Sequence, residues 1–111
     1  MNDATISDTL RLRIEKLPNV TTRPMFGYQC YSVNGKFFVG FNKKNMTKMI
    51  IRLTEDFQKK ALTDISLGAK PFSHGARMGW IEIEMMNTRQ IEKAFQWVKK
   101  GYECASKLSE E

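Results

Sequence analysis

His74 is the single histidine of the chain, and it sits in Pro71-Phe72-Ser73-His74-Gly75-Ala76-Arg77. Lys70, His74 and Arg77 around one glycine-bearing loop supply the charges of an anion site, and loops held by a rigid sheet often carry function. The plainer reading is a surface loop with turn glycines. Nucleophilic chemistry would pair Cys30 or Cys104 with His74 and add an orienting group and an oxyanion hole; no local signature for these is present. Ser73 beside His74 is no triad, because sequence neighbours seldom reach the required geometry. A zinc site calls for about four ligands, usually in closely spaced pairs, and the sequence has no such pair. No glycine-rich phosphate loop appears. Glu82 and Glu84 fall on one side of a strand pattern, which is commonly just its solvent side. The expectation is a non-enzymatic protein with no catalytic residues, no metal and no cofactor. Cys30 and Cys104 read as reduced thiols in a cytoplasmic protein, with a bridge between them the less favoured alternative.

Charge is the second informative feature. No acidic residue occurs between Glu15 and Glu55, and that window holds Lys16, Arg23, Lys36, Lys43, Lys44, Lys48 and Arg52. Aromatics are interleaved: Phe26, Tyr28, Tyr31, Phe37, Phe38 and Phe41. Basic strands with aromatics resemble surfaces on which nucleic-acid bases stack. The blander alternative places half of those rings in the core and uses the lysines to guard turns and sheet edges. A further basic stripe, Arg89, Lys93, Lys100 and Lys107, lies opposite the apolar face of the last helix and reads mainly as a solvated face. Among the methionines, Met78 stands beside Trp80, which strand alternation turns outward, so Met78 and Trp80 form a candidate partner surface.

The elements that position these residues follow from periodicity and punctuation. Ile6, Leu10, Ile14 and Leu17 recur at helical spacing, with Thr5 or Ser7 as cap, Pro18 and Asn19 as the stop, and Arg13 snorkelling at the rim. Val20 to Met25 is a strand. Tyr28 to Val33 and Lys36 to Phe41 flank Asn34-Gly35, the strongest short hairpin signal. Met46 to Leu53 is a further strand. Thr54 caps a short helix, Glu55 to Leu62, and Thr63 to Gly79 is irregular. In Trp80 to Met85, Ile81, Ile83 and Met85 face inward. Asn87 or Thr88 caps a last helix with the stripe Ile91, Ala94, Phe95, Val98, Tyr102 and Ala105. Hairpin-linked strands with amphipathic helices at both ends predict a two-layer α+β sandwich of about five antiparallel strands, one face covered by the terminal helices.

Composition bounds the answer. The 111 residues carry eighteen Lys and Arg against twelve Asp and Glu, a formal charge of +6, with 41% apolar residues. Seven Phe, three Tyr and two Trp give enough burial to exclude disorder as the main state. No repeat or linker divides the chain, so residues 1–111 are expected to form one domain. No apolar run approaches the ~18 residues of a membrane span, and no signal peptide is visible.

Thr22-Arg23-Pro24-Met25-Phe26-Gly27, followed by the hairpin through Asn34-Gly35-Lys36-Phe37-Phe38, resembles the N-terminal domain of the TfoX/Sxy proteins. Pro71-Phe72 through Met78-Gly79-Trp80-Ile81-Glu82-Ile83 resembles that family's second block, and the closing helix with Trp97 resembles its end. The resemblance runs from about Leu10 to Leu108. It implies an α+β fold of the secretion-chaperone-like kind, also seen in YjbR-type proteins, and a bacterial, cytoplasmic, non-enzymatic protein. The TfoX/Sxy proteins are linked to activation of competence genes together with a cyclic-AMP receptor protein.

Two expectations follow. The first is a regulatory, protein-interaction module, a homodimer or the companion of another protein, using Met78 and Trp80. The alternative is a nucleic-acid-binding transcriptional accessory using Arg23, Lys36, Lys43, Lys44, Lys48 and Arg52 in the basic 16–54 segment. No membrane association is expected.

Overall fold

A two-residue hairpin turn that matches strand twist requires positive φ at both central residues, which few residues other than Asn and Gly tolerate. Asn34 (φ 51°) and Gly35 (φ 82°) meet that requirement. The computed structural model describes residues 3–25, 27–45, 47–65, 67–73, 75, 78–85 and 89–108, with backbone alone at 3–7 and 108.

The elements are helix α1 (Asp3–Glu15), strands β1 (Val20–Met25), β2 (Tyr28–Val33), β3 (Lys36–Asn42) and β4 (Lys48–Arg52), helix α2 (Glu55–Thr63), strands β5 (Lys70–Pro71) and β6 (Trp80–Glu84), and helix α3 (Arg89–Leu108). All strands lie in one antiparallel sheet of order β1-β2-β3-β4-β6-β5. The α+β class is as the sequence predicts, and the sheet gains a sixth strand. Lys70 and Pro71, read as irregular, pair with Glu82 and Ile81. Three further corrections are local. Helix α1 is described from Asp3, so Thr5 and Ser7 lie inside it and not at an N-cap position. Thr54 holds the N-cap position of α2, but its hydroxyl makes no capping bond. Strand β4 is shorter than Met46 to Leu53. The caps predicted at Asn87 and Thr88 lie outside the described residues.

The core lies between the sheet and helices α1 and α3. Facing strands present Tyr31, Val39, Phe41, Met49, Ile51, Ile81 and Ile83, all essentially inaccessible to solvent. A register shift between Tyr31 and Ser32 opposes Val39 to Tyr31 but Phe37 to Ser32, which leaves Phe38 as the extra residue of a bulge. Phe38 and Val39 are therefore both buried, and Phe38 meets Tyr102 of α3 edge-on at 5.5 Å. Leu10 and Ile14 seat α1, while Leu12 is exposed, as its place off the apolar face requires. Arg13 snorkels as expected: its guanidinium lies over the Phe95 ring at 5.6 Å and pairs with Glu92 at 2.6 Å.

Tyr31 donates its hydroxyl to Glu15 Oε2 at 2.9 Å. Burial first, and then the bond to Glu15, push its phenol well above the ordinary value. Burial likewise raises Cys30, against the opposing charge of Lys43. These groups bind their protons more tightly folded than unfolded, so their contribution is complete below the unfolded pKa and is lost as pH rises. Stability against urea should therefore fall above about pH 10, where an unfolded tyrosine ionises, by about 1.4 kcal/mol per pH unit for that group. Tyr31→Phe should flatten this slope, and an unchanged slope would contradict the assignment.

Candidate nucleic-acid interface and an adjoining cleft

The acid-free stretch of sequence becomes one continuous part of the sheet, because β1 to β4 are spatial neighbours in chain order. The acids Glu82 and Glu84 lie beyond it on β6. Register places Arg23, Cys30, Gly40, Ile50, Glu82 and Lys70 in a single row across the face opposite the helices. At one end of the sheet, the β3–β4 turn carries Lys43 and Lys44, with Lys48 just inside β4. Asn42 Oδ1 accepts from the backbone N–H of Lys44 at 2.9 Å and of Asn45 at 3.2 Å. Lys43 N–H donates to Gly27 O at 3.0 Å. The two exposed lysines thus stand on a turn fixed by an Asx-type bond and by the neighbouring β1–β2 connection. Lys36 and Arg52 lie at the opposite end.

Among the described residues, none of Arg23, Lys36, Lys43, Lys44, Lys48 and Arg52 enters an ion pair. Lys48 stands opposite Glu84 in register without pairing. The other sequence candidates are partly committed within the fold. Lys70 reaches Glu82 at 3.2 Å, and Lys93 reaches Asp64 at 3.2 Å. Lys100 lies over the Phe57 ring at 5.2 Å, which spends part of the α3 basic stripe on α2. His74 and Arg77, the other members of the expected anion loop, lie outside the described residues.

The aromatics divide between the two sides. Tyr31, Phe38 and Phe41 belong to the core, and Phe26 lies outside the described residues. Tyr28 and Phe72 meet edge-on at 5.7 Å. In the same sheet, a Cβ on Gly40 would lie 3.1 Å from Cys30 Sγ. Trp80 is only half-buried, but a Cβ on Gly75 would fall 2.7 Å from its ring. The ring thus packs on one side against its own connection. Met78 is exposed. The outer face therefore offers cations and partly covered rings, not a row of free stacking platforms.

Sequence reading missed a second feature. A cleft of about 640 Å³ opens between α2, the C-terminal half of α3 and the ends of β3, β4 and β6. Lys36, Phe37, Arg52, Leu53, Met78 and Cys104 are among the residues that line it. Arg52 donates from Nε to Met78 O at 3.1 Å, which fixes its guanidinium at the wall. At Gly101, helix and sheet approach so closely that a Cβ would lie 2.9 Å from Arg52 O. Beyond that contact the α3 side chains are the small Cys104 and Ala105, which leaves the space open. The only sequence signal was the narrowing of the α3 apolar stripe from Phe95 and Val98 to Gly101 and Ala105. Both cysteines are free thiols, Cys30 buried and Cys104 partly accessible.

No helix among the described residues is long and apolar enough to cross a membrane. No family model matches the chain, and no curated protein matches it. Among solved structures, it is similar to the crystal structure of Deinococcus radiodurans protein DR2400, a DUF419-domain protein, with a TM-score of 0.77. Identity is 13%, over 90% of this chain and 78% of that one. At that identity the likeness establishes a shared α+β fold.

Proposed function

We propose that the protein is a non-enzymatic nucleic-acid-binding accessory that engages phosphates through the basic part of its sheet. One observation carries the reading: four neighbouring strands and the β3–β4 turn, without an acidic residue, bear six cations, none of them in an ion pair among the described residues. Surface cations usually have carboxylates nearby, and a continuous region without them attracts polyanions. The partly covered aromatics favour backbone contacts over base stacking, so binding should depend on salt more than on sequence. The resemblance to TfoX/Sxy proteins supports a bacterial, cytoplasmic regulator, and the competence connection belongs to that same proposal.

The test is fluorescence anisotropy with a labelled generic duplex and a labelled single strand across a salt series. For a duplex, log affinity against log salt should fall with a slope of roughly −3 to −5, as for several released counterions. The double substitution Lys43→Gln, Lys44→Gln should reduce that slope by roughly two. No binding at low salt would remove the reading.

A second reading, a homodimer or protein-interaction module, draws on exposed Met78, which lines the cleft as Phe37 does. A monomer throughout a dilution series would remove its homodimer form.

A further inference from the structure

We propose that the cleft between α2 and α3 is a binding site for a small organic anion with an apolar body. The cleft lies at the opposite end of the sheet from Lys43 and Lys44, and it takes Lys36 and Arg52 from the basic set named above. The volume of about 640 Å³ falls in the range of ligand pockets, roughly 300–1,000 Å³. Its walls combine apolar and cationic groups: Phe37, Leu53, Met78 and Ala105 with Lys36 and Arg52. Glu55 also lines it, but its carboxylate is directed to Lys59 at 3.4 Å. Lys36 and Arg52 have no such partner among the described residues, so the uncompensated charge of the cleft is positive.

Arg52 is the residue that selects the anion. Its Nε is occupied by Met78 O, and this single bond orients the guanidinium while leaving its terminal N–H groups available. A guanidinium held in this way recognises a carboxylate, sulfonate or phosphate by paired hydrogen bonds. Apolar surface beside it shelters an aryl or alkyl body and reduces the water that would otherwise screen the charge. A purely inorganic anion would leave the accessible surface of Phe37 and Met78 uncovered, and a neutral apolar molecule would leave Arg52 without a partner. The chemistry of the wall therefore specifies a ligand with both parts.

Cys104 provides a reporter. It lines the cleft and is partly accessible, whereas Cys30 is buried on the other side of the sheet. The probes are 8-anilinonaphthalene-1-sulfonate and its neutral counterpart N-phenyl-1-naphthylamine, which share an apolar body and differ by the sulfonate. The sulfonate should bind one site per chain and slow alkylation of Cys104 by iodoacetamide about tenfold at saturation. Arg52→Gln should weaken its binding about tenfold, the order expected for loss of a charge-assisted bond. The neutral amine should bind more weakly and be indifferent to Arg52→Gln. Lys43→Gln, Lys44→Gln should leave the sulfonate affinity unchanged even where it weakens binding to DNA, which separates the two sites. Equal affinity for the two probes, no effect of Arg52→Gln in a protein of unchanged circular dichroism, or no protection of Cys104 would each overturn the proposal.

Discussion

Gly79→Ala is expected to destabilise the protein by about 4 kcal/mol, a large share of the stability of a domain this size. Two independent effects meet at this residue. Gly79 has φ +94°, outside the range that residues with a Cβ ordinarily adopt. The added carbon would also collide with Leu53 O, a backbone atom that cannot rotate away. Leu53 N–H donates to Gly79 O at 3.0 Å, so relieving the clash separates the end of β4 from the start of β6. These strands are central to the sheet, and Leu53 is buried in the core. Urea denaturation should show the midpoint falling sharply or the variant failing to fold. A loss below about 1 kcal/mol, the scale of an ordinary glycine replacement, would contradict the contact.

Phe38→Ala should cost a comparable amount, about 3–5 kcal/mol, the range for emptying a buried phenylalanine site. Phe38 is fully buried at the bulge and stacks edge-on with Tyr102. The bulge points Phe38 and Val39 into the same interior, so few neighbouring side chains are free to move into the space. Close helix–sheet packing around Gly101, where a Cβ would lie 3.4 Å from Phe38 O, restricts collapse of the helix onto the cavity. Chemical denaturation measures the loss. Because Tyr102 also donates to Pro18 O at 2.7 Å, the same variant should loosen the α1–β1 connection, visible as faster amide exchange around Asn19 and Val20.

Where the chain carries strong local instructions, sequence and structure coincide. Asn34-Gly35 dictates its turn by backbone sterics alone, and alternation in Trp80 to Glu84 sets which side of β6 is buried. Pro18 and Asn19 end α1, with Asn19 in the left-handed region at φ 63°, a conformation asparagine tolerates. The misreadings occur where tertiary pairing decides. Lys70 and Pro71 have no periodicity of their own and become a strand only because β6 offers an edge. Thr54 has a capping residue's identity and position, yet its hydroxyl makes no capping bond. The same distinction governs the candidate sites. The acid-free window was legible because sequence neighbours are sheet neighbours in β1 to β4. The cleft was not, because Lys36, Arg52, Met78 and Cys104 come from separate elements that meet only through the packing of α2 and α3 against the sheet ends. Trp80 illustrates the reverse case: alternation places it on the outer face, but only the fold brings Gly75 against its ring.

The most direct measurement of the central claim is amide chemical-shift mapping of the isotopically labelled protein titrated with a short unlabelled DNA duplex at low salt. The account predicts fast-exchange shifts concentrated on Arg23, Lys43, Lys44 and Lys48 with their strand neighbours, all collapsing as salt is raised. Shifts absent at every salt concentration, or centred on the outer face of α3, would contradict it.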